Sequence, residues 1–339
     1  MKSAIIPCST GVCHSLDWKK QLSQAISTPQ QLLERLNLTA EQMGDGQAQQ
    51  LFRLKVPHAY VDRMQKGNPN DPLLRQVWPS EQEFNSPSQY LIDPLGEQAS
   101  NPIPGLLHKY QSRALTISTA SCAINCRYCF RRAFNYADQA FSRQAWQQWI
   151  TYLKAHPEIN EVILSGGDPL MLADAKLAEL ISALEQLPQL KRLRIHSRLP
   201  LVIPERITDS LLDLAANSRL KWILVWHINH PQEIDDRVAA AAKRCQQANI
   251  LQLNQAVLLR GVNADSGVLK QLSEQLFDID ILPYYLHLLD KVTGAAHFDL
   301  PKPEAQAIYA QLMAQLPGFL VPKLVQEVAG EPSKSFAFW

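Results

Sequence analysis

Net charge is almost absent from this sequence. Its 339 residues carry 33 Lys and Arg against 32 Asp and Glu, which leaves a formal net charge of +1 at pH 7. Proteins that bind nucleic acid over a broad surface usually carry a clear positive excess. The balance argues against direct nucleic-acid binding and favours a small anionic or zwitterionic ligand, held at a local patch.

A long apolar run is absent as well. The opening segment, MKSAIIPCSTGVCHS, has one lysine and a three-residue apolar run before Pro7, whereas a secretory signal needs an apolar core of roughly 7–15 residues. No later stretch approaches the ~20 apolar residues of a membrane span. We therefore expect no membrane association and predict a cytoplasmic protein.

Cysteines are too few and too unevenly spaced for a disulfide framework. Three of the six stand apart, at Cys8, Cys13 and Cys245, which is poor material for such a framework. The other three crowd into the eight positions of segment 122–129. Clustered thiols in a reducing compartment usually bind a metal, so this segment is the leading candidate for chemistry.

Residues 1–105 show no chemical motif and are predicted to form short helices and loops. Thr28 and Pro29 suit the N-cap and first position of a helix over QQLLERL. A chain of this length can form one large α/β domain with an appendage. We predict three parts: an N-terminal helical region over 1–105, a barrel over 106–318 and a short C-terminal segment over 319–339.

Beyond residue 105 the pattern changes to short β-rich runs separated by amphipathic helical stretches. The last five runs begin about 30 residues apart, which suits one strand, one helix and two short loops. Such units close toward a barrel, so we predict an α/β fold, a partial TIM-like barrel of about six βα units. An open doubly wound sheet would show the same alternation. The predicted strands begin at Arg113, Glu161, Lys191, Lys221, Ile250 and Ile281.

Polar residues follow or end each of these runs. In a βα barrel the chemistry lies at the carboxyl ends of the strands, so these residues are candidates for a shared site. They are, in chain order, the cysteine segment, residues 165–169, 196–198, 227–230 and 254–255, and Asp290.

The segment SCAINCRYCFRR places Cys122, Cys126 and Cys129 at positions i, i+4 and i+7. Iron–sulfur clusters usually take four cysteines, so three leave one iron uncovered. That iron can chelate the amino and carboxylate groups of S-adenosylmethionine (SAM), and an electron from the cluster then cleaves the sulfonium to give a 5′-deoxyadenosyl radical. A structural zinc site is the alternative, but it usually needs a second Cys/His pair at similar spacing. The sequence has none, so we predict a [4Fe-4S] cluster and SAM.

Two motifs resemble those of the radical SAM superfamily. CAINCRYCFRR resembles its cysteine signature, and LSGGDPL resembles the glycine-rich segment that contacts the amino group of SAM. That resemblance implies SAM contacts for Ser165, Gly166, Gly167 and Asp168. A Gly-Gly-Asp-Pro sequence taken alone is more often only a turn.

From about Leu106 to Lys334 the chain resembles the lysine 2,3-aminomutases, which combine SAM with pyridoxal 5′-phosphate (PLP). The segments that carry the resemblance are CRYCFRR, LSGGDPL, RIHSRLP, HINHP, LNQAVLLRGVN, PYYLHLLD and the terminal lysine. KGNPNDPLLRQV, PGLLHKY and LDKVTGAAHF resemble the short bacterial form, which supplies (R)-β-lysine for modification of elongation factor P.

The resemblance implies a PLP site. Lys334 would be the lysine to which PLP attaches, a role that suits an amine shielded from water. Arg113 and Lys109 match positions that hold the PLP phosphate, and His227 and Gln255 match positions near SAM or PLP. Each of the last two could equally be an ordinary buried polar residue.

The resemblance also implies a site for lysine. Arg131 matches the position whose guanidinium forks onto the substrate carboxylate, although a single arginine could also be a surface ion pair. Asp290 and Glu327 match the two carboxylates that bind the ε-ammonium group. Long family members usually have aspartate where this chain has Glu327, and the added methylene leaves its contact with the ε-amine open.

The predicted function is therefore the conversion of L-lysine to β-lysine by an aminomutase. Three alternatives stay open: a related aminomutase acting on another amino acid such as glutamate, a radical SAM enzyme without PLP, and a non-catalytic metal-binding module. The expected partners are L-lysine, an electron donor such as a flavodoxin or ferredoxin, and, through the product, elongation factor P and its lysyl ligase. A homo-oligomer is compatible with the resemblance.

Overall fold

The computed structural model describes residues 17–134, 143–331 and 333–338. Cys8 and Cys13 lie outside the described residues. No helix in this part of the chain is both long and apolar enough to cross a bilayer.

Between residue 17 and the sheet lie five short α-helices, and side chains cap several of them. In α2, the Thr28 side chain accepts a hydrogen bond from the backbone N–H of Gln31, and Pro29 is the first helical residue, as predicted. Asp71 caps α5 in the same way. The helices are α1 (Trp18–Ser23), α2 (Pro29–Leu36), α3 (Ala40–Met43), α4 (His58–Val61) and α5 (Pro72–Arg75).

A nine-stranded sheet forms the centre of the molecule, with its strands in chain order from β1 to β9. Strands β2 to β8 are parallel, and β1 and β9 pair antiparallel at the two edges. The strands are β1 (Leu106–Tyr110), β2 (Arg113–Thr119), β3 (Glu161–Gly166), β4 (Arg192–Ser197), β5 (Lys221–Trp226), β6 (Leu251–Val257), β7 (Leu282–His287), β8 (Lys323–Gln326) and β9 (Ser335–Phe336).

The six predicted strands correspond to β2–β7, and the predicted partial βα barrel is confirmed. Strands β1, β8 and β9 were not predicted. Seven described helices follow β2, most of them longer than those before the sheet, and Thr208, Asp235 and Asp265 cap three of them. The helices are α6 (Arg143–Ala155), α7 (Asp174–Glu185), α8 (Leu199–Val202), α9 (Asp209–Ala216), α10 (Asp236–Gln247), α11 (Ser266–Asp278) and α12 (Lys302–Gln315).

One hydrophobic core joins the N-terminal helices to the barrel. Leu32, Tyr60 and Leu74 belong to the same buried cluster as Leu164 of β3 and Trp226 of β5. The N-terminal region therefore packs against the barrel. The three-part division of the chain stays a prediction. Because seven neighbouring strands run in one direction, their carboxyl ends meet on one side of the sheet.

Candidate active site

A cavity of about 520 Å³ runs from the starts of β2 and β3 to the carboxyl ends of the strands, and every residue predicted to bind the cluster, a cofactor or the substrate lines it. A volume of this size is ordinary for a cofactor or substrate site. The structure thus brings together residues from both ends of the chain, although their individual roles remain predictions. They are Lys109, Arg113, Cys122, Cys126, Cys129, Arg131, Ser165, Gly166, Gly167, Asp168, His227, Gln255, Asp290, Glu327 and Lys334.

The three cysteines follow β2 as free, partly buried thiols. Burial, together with the neighbouring Cys126, raises the pKa of Cys129 to about 11. Burial likewise raises the pKa of Cys122 well above its usual range, with contributions from Asp168 and the other two cysteines. The thiols are therefore close enough to interact electrostatically. A bound cation reverses this effect, because a coordinating thiol is deprotonated.

The donor set suits a cluster better than a single metal ion. Within residues 17–134, 143–331 and 333–338, no three His, Cys, Asp or Glu side chains form a group that could hold a metal ion. A four-iron cluster does not need such convergence, because each thiolate binds a different iron. Three thiols that line one cavity fit that requirement.

Buried ion pairs from the N-terminal region hold the cysteine segment in place. Arg127, between Cys126 and Cys129, donates two hydrogen bonds to Glu83, at 2.7 and 2.6 Å, and both side chains are fully buried. Arg132 also donates to Glu83, at 2.5 Å. These bonds fix the loop on both sides of its last cysteine.

The glycine-rich segment after β3 packs directly against the start of the cysteine loop. The N–H of Gly167 donates to the carbonyl of Thr119 at 2.7 Å, and the N–H of Asp168 donates to that of Ser121 at 2.8 Å. A Cβ atom on Gly167 would lie 2.5 Å from the Ser121 oxygen, so only glycine fits without movement.

Asp168 connects this segment to the end of β4. Its carboxylate accepts hydrogen bonds from the Ser197 hydroxyl at 2.7 Å and from the N–H groups of Arg198 and Leu199, both at 2.8 Å. Burial raises the pKa of Asp168, and these hydrogen bonds oppose that rise. In this structure Asp168 therefore holds two cavity-lining loops together.

Five charged side chains of alternating sign form a continuous chain across the cavity. Arg131 donates two hydrogen bonds to Glu97, both at 2.8 Å. Lys109 lies 3.8 Å from Glu97 and 3.2 Å from Glu327. Lys334 completes the chain, with its Nζ 2.5 Å from Glu327 Oε2. The predicted carboxylate-binding arginine and the predicted PLP lysine thus belong to one network.

The two predicted ε-ammonium ligands have opposite protonation behaviour. Burial, together with the charge of Glu327, raises the pKa of Asp290 to about 7. Burial would also raise the pKa of Glu327, but Lys334 and Lys109 lower it to about 2. Near neutral pH Glu327 is therefore a carboxylate, and Asp290 lies close to its midpoint.

Comparison with known proteins identifies relatives of this chain. The radical SAM superfamily model matches residues 116–267. The L-lysine 2,3-aminomutase of Haemophilus influenzae is 49% identical over 332 residues, which cover 98% of each chain. That of Escherichia coli is 50% identical over 321 residues, or 94% of each chain.

This chain belongs to the lysine 2,3-aminomutase family of radical SAM enzymes. The L-lysine 2,3-aminomutase of Clostridium subterminale is also related, at 34% identity over 94% of this chain and 77% of that one. Among solved structures, a radical SAM methyltransferase from Sphaerobacter thermophilus gives a TM-score of 0.47 at 16% identity, covering 65% of this chain and 68% of that chain. As a radical SAM protein, this member of the family uses a [4Fe-4S] cluster and SAM.

Three histidines, His196, His227 and His287, line the cavity of this lysine 2,3-aminomutase family member. His227 Nε2 lies 3.0 Å from the Gln255 amide nitrogen, and burial lowers the pKa of His227 to about 3, helped by Arg198 and Arg131. Among the described residues, His196 Nε2 and His287 Nε2 are buried without a hydrogen-bond partner. Orphaned polar atoms of this kind fit a polar ligand in the cavity.

Cations and aromatic rings surround the predicted PLP lysine. Arg113 lies over the Tyr110 ring at 4.0 Å from the centroid, and Lys334 Nζ lies 5.9 Å from the Tyr285 centroid. With Lys109, these groups offer two cations for a phosphate beside an amine and flat rings. This donor set fits PLP.

Sequence reasoning missed the contribution of the N-terminal region. Glu97 pairs with Arg131 and Lys109, Glu83 holds the cysteine segment, and Lys55 Nζ donates to the carbonyl of Cys122 at 2.7 Å. Their signal was weak, because an isolated acidic residue in a helical region has no pattern that points to a partner distant in sequence. His196, in contrast, follows a predicted strand and was among the candidates named there, residues 196–198.

Proposed function

We propose that this protein is a lysine 2,3-aminomutase that moves the α-amino group of L-lysine to its β-carbon. The observation that carries the proposal is the presence in one cavity of the three cysteines, Lys334 and a pair of carboxylates. Relatives named L-lysine 2,3-aminomutase, which align along nearly the whole chain, support the same conclusion.

Cys122, Cys126 and Cys129 would hold the cluster, and Ser165, Gly166 and Gly167 would lie against SAM. Lys334 would bind PLP, with Arg113 and Lys109 around its phosphate. When bound, the cluster with SAM supplies a carbon radical that removes a hydrogen from the substrate, and PLP supplies an electron-accepting π system for the nitrogen shift. The protein contributes binding, orientation and exclusion of water.

Glu327 would pair first with the ammonium group of Lys334 and then with the ε-ammonium group of the substrate. In the ligand-free protein it is paired with Lys334, but an amine must lose its proton before it can attach to an aldehyde. With its amine attached to PLP, Lys334 would no longer neutralise the Glu327 carboxylate. That carboxylate can then accept the ε-ammonium of the substrate together with Asp290.

Arg131 would bind the substrate carboxylate. Its Nη1 also donates to the Ser165 hydroxyl at 3.1 Å, which orients the guanidinium. Glu97 accepts hydrogen bonds from Nε and Nη2 of the same guanidinium. A bound substrate carboxylate would therefore share Arg131 with Glu97. A fixed fork of this kind positions the reacting carbon atoms between the two ends of lysine.

The charges favour lysine over glutamate. Asp290 and Glu327 line the same cavity as Arg131, so the second carboxylate of an amino acid held by Arg131 would meet like charge beside them. His227 is neutral near pH 7 and adds no positive charge to this part of the cavity. Lysine, with a terminal ammonium, is therefore the better match.

The wider setting follows from the family. We expect a low-potential electron carrier such as a flavodoxin or ferredoxin to reduce the cluster, and we expect a cytoplasmic location. The product would be (R)-β-lysine for the modification of elongation factor P by its lysyl ligase. A homo-oligomer remains a prediction.

Anaerobic reconstitution tests the function directly. The purified chain is loaded with iron, sulfide, PLP and SAM, reduced, and supplied with L-lysine, and chiral chromatography then measures β-lysine. Omission of PLP should abolish turnover. Turnover without PLP would identify a different radical SAM reaction, and turnover of L-glutamate but not L-lysine would overturn the substrate assignment. A protein that takes up zinc, and neither iron nor sulfide, would reject the enzyme altogether.

A further inference from the structure

Arg198, at the end of β4, contacts a predicted cluster ligand directly. Its side chain is almost fully buried, and its Nη1 donates a hydrogen bond to Cys126 Sγ at 2.7 Å. The residue lies in the motif RIHSRLP but has no role in the function proposed above. A buried guanidinium must find acceptors, and here one acceptor is a thiol sulfur.

The guanidinium is fixed from its other side. Arg198 Nη2 donates to Glu233 Oε2 at 2.8 Å, to Gln76 Oε1 at 2.7 Å and to the Tyr60 hydroxyl at 3.0 Å. Glu233 is itself fully buried, and its other oxygen accepts the backbone N–H groups of Asn229 and His230. The donor to Cys126 is therefore held rigidly, and it cannot turn away without breaking several buried bonds.

We propose that Arg198 is a positioning residue that donates a hydrogen bond to the Cys126 thiolate and thereby raises the reduction potential of the cluster. This inference rests on the proposed function, because it requires the cluster to be bound by Cys126. Reduction adds one electron to the cluster and its sulfur ligands. A fixed N–H donor carrying positive charge stabilises that added negative charge more than it stabilises the oxidised form.

The test is the midpoint potential of the reconstituted full-length protein, measured without SAM by an anaerobic redox titration that is followed by electron paramagnetic resonance. Arg198→Gln should keep its iron and sulfide but be harder to reduce, with the equilibrium constant for one-electron reduction lowered about tenfold. For a one-electron couple this is about 59 mV. Arg198→Lys, which keeps the charge but loses the fork between sulfur and Glu233, should shift in the same direction by less.

Arg206→Gln is the matched control, since Arg206 is also fully buried but pairs with Asp174 and backbone carbonyls. Its midpoint potential should equal that of the unaltered protein. A second readout is rescue: a stronger chemical reductant than a flavodoxin should restore turnover to Arg198→Gln, whereas it would not restore a misfolded site.

An unchanged potential in a cluster-bearing Arg198→Gln protein would overturn the inference. If that variant does not fold, an unchanged potential in Arg198→Lys would do the same. A shift seen only with SAM bound would also overturn it, because Arg198 would then act on SAM and not on the sulfur. If the unaltered protein binds no cluster, it is the proposed function that fails; if the cluster forms and the potential does not move, only the role of Arg198 fails.

Discussion

Lys334 Nζ and Glu327 Oε2 lie 2.5 Å apart, and Glu327 and Lys334 are the first and last residues of the segment that connects β8 to β9. Glu327 directly follows β8 and Lys334 directly precedes β9, and these two strands pair antiparallel through Gln326 and Ser335. The hairpin therefore sets the distance between the proposed PLP lysine and its counter-ion.

Substitution of Lys334 tests its covalent role. Lys334→Ala should bind its cluster and SAM normally but should retain no covalently attached PLP and form no β-lysine. Borohydride reduction followed by peptide mapping should find PLP on residue 334 of the unaltered protein. Lys323→Ala, which removes an exposed lysine from the same hairpin, is the control. Unchanged turnover in Lys334→Ala would contradict the proposed role.

Loss of Arg131 should weaken the binding of the substrate carboxylate. A charge-assisted hydrogen bond contributes roughly 1.5–3 kcal/mol, so Arg131→Gln should raise KM for lysine by about 10- to 150-fold. Steady-state kinetics would show this with L-lysine. Lysinamide, which lacks the carboxylate, should be used equally poorly by both proteins. Arg237→Gln, at an exposed ion pair with Glu205, should behave like the unaltered enzyme.

The pKa of Asp290 predicts a pH dependence of lysine capture. Burial and Glu327 place this pKa at about 7, so the fraction of ionised Asp290 rises about tenfold between pH 6 and pH 8. The kcat/KM for lysine should rise with it, since this parameter reports the free enzyme. Asp290→Asn should lower kcat/KM and flatten the profile, and an unchanged slope would assign the dependence to another group.

The same carboxyl should affect stability in the opposite direction. In the unfolded chain Asp290 titrates near its ordinary value of about 3.9, so between that pH and about 7 the folded state binds a proton that the unfolded state does not. The contribution of Asp290 to stability is therefore present below pH 4 and is lost as pH rises through 7. The melting temperature of ligand-free Asp290→Asn should exceed that of the unaltered protein more at pH 8 than at pH 5. Asp278→Asn, at an exposed position, should show no such difference.

Gly167 should be intolerant of a side chain because it touches the backbone of Ser121. Gly167→Ala must displace the segment that precedes Cys122, and overpacking of this kind typically costs about 1–3 kcal/mol. We expect a lower melting temperature and a lower iron content after reconstitution. Gly318→Ala, which meets no atom within 4 Å, should match the unaltered protein on both measures. Full cluster loading of Gly167→Ala would show that the contact does not position the cysteines.

Strands β2–β7 could be predicted from the sequence because they are largely buried and most of them are evenly spaced along the chain. Strand β3, for example, is buried along most of its length around the apolar residues 162–164 and has a helix on each side, and this is the pattern of a parallel sheet. Strand β8 has only four residues, and β9 has two. Runs this short resemble turns, and their pairing depends on tertiary contacts.

The candidate site divides in the same way. The positions of polar residues after the strands and the spacing of the cysteines predicted part of the site from the residues alone. Lys334 and Glu327, in contrast, were predicted only from family resemblance. Glu97 and Glu83 had neither kind of signal. They meet Arg131 and Arg127 across 34 and 44 residues of chain, and an ion pair over that distance leaves no periodic trace in a sequence.

The open edges of the sheet have a consequence for access to the cavity. A closed eight-stranded barrel is sealed by backbone hydrogen bonds and filled by its own side chains. Here Lys109 of the edge strand β1 forms an ion pair with Glu327, which directly follows β8, the last parallel strand. An incoming phosphate or ammonium group can compete for either partner of this ion pair and separate the two side chains. The cavity can then admit a ligand while the hydrogen bonds between the strands stay intact.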